Sequence, residues 1–88
     1  MVFYKMAAAQ GDWKAQSNLG VMYAQGLGVK QDDIKAYMWL GLATDQSGGD
    51  NFAAENLAVV TKKMTKSQIE EAQNLANKCK QNDYHHCD

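Results

Sequence analysis

The sequence predicts an all-α fold, specifically an α-α superhelix: a short α-solenoid of antiparallel helix hairpins. Three observations carry that prediction. Proline is absent while alanine, leucine, glutamine, lysine and methionine are plentiful, and these are helix formers. No stretch alternates apolar and polar residues as a half-buried strand does, whereas apolar residues recur three and four apart in successive segments. Finally, the chain contains an internal repeat with a period typical of helical hairpin arrays.

The first complete helix is predicted from Trp13 to Gln25. Ala15, Leu19, Met22 and Tyr23 fall at i, i+4, i+7 and i+8 and form one apolar stripe. Asp12 precedes the first turn and can accept hydrogen bonds from its free N–H groups. Gly20 and Ala24 lie four apart on another face, where small side chains let a second helix approach. That second helix is expected to open at Asp32 as N-cap and to run to about Thr44, with Ala36, Trp39, Leu40 and Ala43 in phase. Only GLGVKQ separates the two, which forces an antiparallel hairpin. After the polar break DQSGGD, a third helix is expected over roughly Phe52 to Lys63, with Ala53, Leu57, Val60 and Met64 aligned. Thr65-Lys66-Ser67-Gln68 reads as a capping box. The helix it opens carries Ile69, Ala72, Ala76 and Cys79 on one side, with Glu70, Glu71, Asn74, Asn77 and Lys78 over much of the rest. Val2 to Gln10 reads as the end of a further helix.

The repeat organises these segments. Phe3–Gly11 aligns with Trp39–Ser47 at an offset of 36 residues (Phe3 onto Trp39). Ala15-x-x-Asn18-Leu19 aligns with Ala53-x-x-Asn56-Leu57 at 38 (Ala15 onto Ala53), so the GGD stretch conceals a two-residue insertion. The 88 residues therefore form a single domain: a partial repeat over 1–11, a complete repeat over 12–47, a degenerate closing repeat with its capping helix over 48–80, and a tail over 81–88.

Together these residues resemble the Sel-one-like repeat family, which is related to the tetratricopeptide helical hairpins. The resemblance rests on Ala15, Leu19-Gly20, Tyr23, Gly26-x-Gly28-Val29, Asp32, Lys35-Ala36, Trp39 and Ala43, and on Ala7-Ala8-x-Gln10-Gly11 in the partial repeat. The segment AENLAVVTKKMTKSQIEEAQNLA is similar to the helical terminus that often closes such arrays. Ser47, Ala58 and Lys66 depart from the family pattern, which favours glycine, glycine and proline there. The resemblance implies that Gly26 ends the first helix in a left-handed conformation, that Gly28 permits the reversal and that Val29 tucks beneath the hairpin. A phosphate-binding reading of Gly26-Leu27-Gly28 fails on sequence. A dinucleotide fingerprint needs a preceding strand and a third glycine where this chain has Gln31, and no GK[ST] follows.

The function classes narrow in the same way. Nine basic and ten acidic side chains give a formal charge of −1, which supplies neither a field for nucleic acid nor a polybasic membrane anchor. The longest apolar run is far short of a bilayer span. The start, MVFYKMAAAQGDW, lacks the charged region and apolar core of a signal peptide. The expected location is therefore cytoplasmic, or exported if this is a fragment of a longer chain.

No catalytic residues are assigned. Ser17, Ser47 and Ser67 are followed three residues on by Gly20, Asp50 and Glu70, so S-x-x-K is absent, as are KTG and G-x-S-x-G. That leaves a hydrolase of the penicillin-binding type, an activity associated with the family's cysteine-rich branch, as the weakest alternative. No metal or other cofactor is assigned either. Cys79, His85, His86 and Cys87 are numerous enough for a zinc shell, but adjacent histidines rarely both reach one metal and no C-x-x-C is present. Cys79 lies in phase with the apolar stripe, as a small buried hydrophobe does. Free thiols on a frayed tail are the default expectation. A Cys79–Cys87 disulfide, of the kind that staples hairpins in some exported relatives, requires Gln81-Asn82-Asp83 to break the helix, because residues eight apart on an unbroken helix lie about 12 Å apart. A small disulfide- or zinc-stabilised exported repeat protein is thus the main alternative.

The leading reading is a protein–protein or peptide-binding scaffold. In arrays of this kind the first helix of each pair lines the concave surface. With Ala15, Leu19 and Met22 inward, Lys14, Ser17, Val21 and Gln25 are expected to point away from the core, Asn18 to lie at the margin and Trp13 to be accessible near the helix start. These six are the candidate binding face. Tyr23 and Trp39 are expected inside the hairpin. A homodimer through the N-terminal open end, at Val2, Phe3 and Met6, is the second expectation, because fewer than about three repeats seldom stand alone.

Overall fold

The computed structural model describes residues 6–8, 11–84 and 87. Residues 6–8 are helical, and four helices follow: α1 (Trp13–Gln25), α2 (Asp33–Ser47), α3 (Asn51–Thr61) and α4 (Lys66–Gln81). Among the described residues there is no strand. α1 and α2 form an antiparallel hairpin. α2 is the hub, since α1, α3 and α4 all pack against it. The fold is an α-α superhelix of helical hairpins, as the periodicity and the repeat require.

Each helix starts where a side chain can satisfy its free N–H groups. Asp12 Oδ1 accepts from Lys14 N at 3.0 Å and Ala15 N at 3.4 Å. Asp32 Oδ1 accepts from Lys35 N at 3.1 Å, and Asp50 Oδ2 from Ala53 N at 3.2 Å. Thr65 and Gln68 form the expected reciprocal capping box, at 3.1 and 2.9 Å. α1 ends with Gly26 at φ 69°, where the Leu27 N–H donates to the Met22 carbonyl at 2.9 Å.

The hairpin closes through a near-contact that only glycine allows. A Cβ on Gly20 would lie 2.6 Å from Leu40 Cγ and 3.2 Å from the Ala36 carbonyl oxygen, so the α1 backbone rests directly on α2. Tyr23 and Trp39 are buried in this interface, and Val29 packs against it from the loop. α2 buries more than its predicted stripe: Met38 and Leu42 are inaccessible alongside Ala36, Trp39, Leu40 and Ala43. A helix with neighbours on several sides needs apolar residues around much of its circumference.

Several expectations need correction. α2 continues three residues beyond Thr44, ending in Gly48 at φ 74°, and the Gly49 N–H donates to the Thr44 carbonyl at 2.8 Å. The two inserted residues thereby separate: one lengthens the helix and the other, Gly49, extends the turn before Asp50. α3 stops at Thr61 rather than Lys63. Met22, expected inward, is only half-buried at the rim.

The default of free thiols is overturned, because Cys79 and Cys87 form a disulfide with their Cα atoms 5.1 Å apart. The helix breaks after Gln81, and Asp83 and Tyr84 take φ of 53° and 66°. That reversal removes the separation an unbroken helix would impose.

Candidate functional site

The N-terminal ends of α1 and α3 lie side by side, and between them is a cleft of about 340 Å³ lined by Trp13, Lys14, Ser17, Asn18, Asp50 and Phe52. Its position follows from the repeat: α1 and α3 are equivalent first helices, each opened by an aspartate cap. Those caps fix the first turns, and the first turns carry Trp13 and Lys14 on one side and Phe52 on the other. Lys14 Nζ sits 5.7 Å from the centroid of the Trp13 ring, within cation–π range. Phe52 is 49% exposed, an uncommon position for a large aromatic side chain.

The cleft brings together four of the six candidate residues. Lys14 and Asn18 are exposed and Trp13 is half-buried. Ser17 is the correction, because it was expected to point away from the core and is only 1% exposed. The neighbouring Gln16, also fully buried, donates from Nε2 to the Ala8 carbonyl at 3.2 Å. Val21 is half-buried against the core, and Gln25 is exposed but stands beyond the cleft at the far end of α1.

Asp50 and Phe52 were missed as lining residues, although the sequence holds the signal for them. At the 38-residue offset that relates Ala15 to Ala53, Asp12 maps onto Asp50, Lys14 onto Phe52, Asn18 onto Asn56 and Val21 onto Val59. Val59, like Phe52, is largely exposed.

Chemically, the cleft offers aromatic walls, an ammonium group, a primary amide and a carboxylate. Among the described residues no group of three or more His, Cys, Asp or Glu side chains is placed to hold a metal ion. His85 and His86 lie outside the described residues, and both cysteine sulfurs are committed to the disulfide. No helix among the described residues is long and apolar enough to cross a membrane.

Two other hollows compare poorly with this cleft. One of about 530 Å³ lies between α2 and α4. It is the larger, but two polar pairs bridge α2 and α4 beside it: Gln73 Nε2 donates to the Tyr37 hydroxyl at 3.2 Å, and Lys80 pairs with Asp45. The other, about 370 Å³, is lined by Tyr23, Val29, Lys30, Gln31, Asp32 and Lys35. Neither Gly26 nor Gly28 lines it, and both take the positive φ of a turn.

Comparison with known proteins agrees with this architecture. The family model of the Sel1 repeat matches residues 1–12 and 13–48. A putative sel1-like repeat-containing protein of Acanthamoeba polyphaga mimivirus is 44% identical over 43 residues, covering 49% of this chain and 7% of that protein. The chain thus spans a small fraction of the length of that relative. No solved structure matches it significantly.

Proposed function

Because this chain belongs to the Sel1 repeat family, whose repeats are generally helical protein-interaction modules, we propose that it is a non-catalytic scaffold module that binds a peptide segment of a partner protein in the cleft between α1 and α3. The observation that carries the reading is the pairing of Trp13 and the exposed Phe52 across the cleft, with Lys14 and Asn18 along its edge. Aromatic side chains give large contact area at little entropic cost, and they dominate binding energy at protein interfaces. The complementary ligand presents one large apolar side chain to the aromatic walls, and peptide carbonyls or a carboxylate to Lys14 and Asn18.

Selection from a random peptide library, followed by titration of the selected peptides, tests this. Trp13 is one of two tryptophans and the other, Trp39, is buried, so quenching or a blue shift on binding reports on the cleft. Trp13→Ala and Phe52→Ala should each weaken binding by roughly tenfold or more with the thermal unfolding midpoint little changed. Wild-type affinity in both variants would refute the site.

Self-association is a second reading, favoured by Met6, which is 61% exposed. Val2 and Phe3, the other expected members of that face, lie outside the described residues.

A further inference from the structure

The C-terminal tail folds back onto the beginning of the array, and a covalent bond fastens it there. After α4 ends, Asp83 and Tyr84 both adopt positive φ, a conformation that side-chain-bearing residues rarely keep unless their surroundings impose it. The Tyr84 N–H donates to the Cys79 carbonyl at 2.8 Å, and its side chain packs on the hydrophobic core. A Cβ on Gly11 would lie 3.9 Å from two carbons of the Tyr84 ring and 3.6 Å from Gln46 Oε1. The ring therefore stands over the turn that opens α1, beside the last turn of α2. Cys87 lies beyond it, half-buried and bonded to the buried Cys79.

The two states of this bond have different consequences for different parts of the molecule. Cys79 lies in the apolar stripe of α4, where a neutral thiol serves as well as a half-cystine. Its reduction leaves the packing of α4 on α2 intact. The tail depends more on the bridge. Besides it, Tyr84 is held by its N–H bond to the Cys79 carbonyl and by the packing of its ring, and the nearby Lys80–Asp45 pair is largely exposed and holds weakly. Without the bridge, nothing covalent maintains the left-handed turn at Asp83 and Tyr84.

We propose that Cys79–Cys87 is a redox-operated latch. Oxidised, it holds Tyr84 against Gly11 and Gln46; reduced, it releases the tail and uncovers the turn that sets the start of α1. The reductant is a dithiol. One of its thiolates attacks the Cys87 sulfur, the more accessible of the two; the S–S bond breaks, and its electron pair leaves on the Cys79 sulfur, which takes up a proton. The second reductant thiol then displaces Cys87, which leaves as a thiolate and is protonated, and the reductant departs as its own disulfide. Two electrons and two protons pass to the protein.

Residue-resolved amide hydrogen exchange on the full chain, oxidised and after dithiothreitol in native buffer, tests the latch. The Gly11 and Asp12 amides, which donate to the Ala8 and Ala7 carbonyls, and the Tyr84 amide should exchange at least tenfold faster on reduction. Leu19 and Leu40 should keep their protection. Cys87→Ser should show the reduced pattern without reductant, and Tyr84→Ala should show fast exchange at Gly11 even when oxidised. Equal rates in the two redox forms would overturn the proposal. A loss of protection spread evenly through α1 and α2, which would mark a staple of the whole fold, would also overturn it, as would a disulfide that resists dithiothreitol while the protein is folded.

Discussion

Gly20 and Gly26 are both glycine for reasons of geometry, but the reasons differ. At Gly20 the backbone is ordinary helix and the space is missing. Replacing it with alanine gains helix propensity of up to about 1 kcal/mol, but the new methyl group meets a branch carbon of Leu40 and a backbone oxygen of α2, and overpacking costs about 1–3 kcal/mol. The second effect wins. Gly20→Ala should destabilise the protein by about 1–2 kcal/mol, read as a lower urea midpoint with an unchanged slope. At Gly26 the backbone is left-handed, and Gln31 Cβ would stand 3.3 Å from an added methyl. Gly26→Ala should also cost about 1–2 kcal/mol. Substituting asparagine, which tolerates that conformation better, should recover part of the loss in the same titration. Both glycines were legible in the sequence because they occur in a spaced pattern with Leu19, Tyr23 and Trp39. The burial of Ser17 was not. Periodicity within α1 does not show which neighbouring element will lie against the Ser17 side.

At the scale of the helix, the local signals were reliable and the ends less so. The three caps expected at Asp12, Asp32 and Thr65 stand where the sequence placed them, and Asp50 supplies a fourth, since capping is a contact between residues two or three apart and needs no tertiary information. Removing the Thr65 hydroxyl should therefore have a local and measurable effect. Thr65→Ala is expected to cost about 1 kcal/mol, with faster amide exchange concentrated in the first turn of α4 and little change in α1. Helix C-termini were harder to place. α2 runs on through Ser47 because the left-handed residue that ends it is Gly48, and two adjacent glycines gave the sequence two equivalent stopping points. The disulfide belongs to this scale as well. Its feasibility depends on whether Gln81-Asn82-Asp83 bends the chain, and the cooperation of Asp83 and Tyr84 in left-handed conformations is a property of the folded tail that composition does not display.

At the scale of the whole molecule, the repeat is what makes the cleft. Two equivalent helices, α1 and α3, present equivalent positions, and a cleft arises where their capped ends meet. If the exposed Met6 serves self-association, sedimentation velocity at micromolar concentration should show a dimer that Met6→Lys converts to monomer; a monomer at every concentration would dismiss it. The fold class, the hairpin and its turn, and the caps at Asp12, Asp32 and Thr65 were determined by the sequence alone, because each depends on residues within about one repeat of one another. Two features were decided only by the tertiary structure: that α2 is enclosed on several sides, and that Tyr84 returns to cover Gly11. Each brings together side chains from different helices, and periodicity shows that a face is apolar without showing which partner will lie against it.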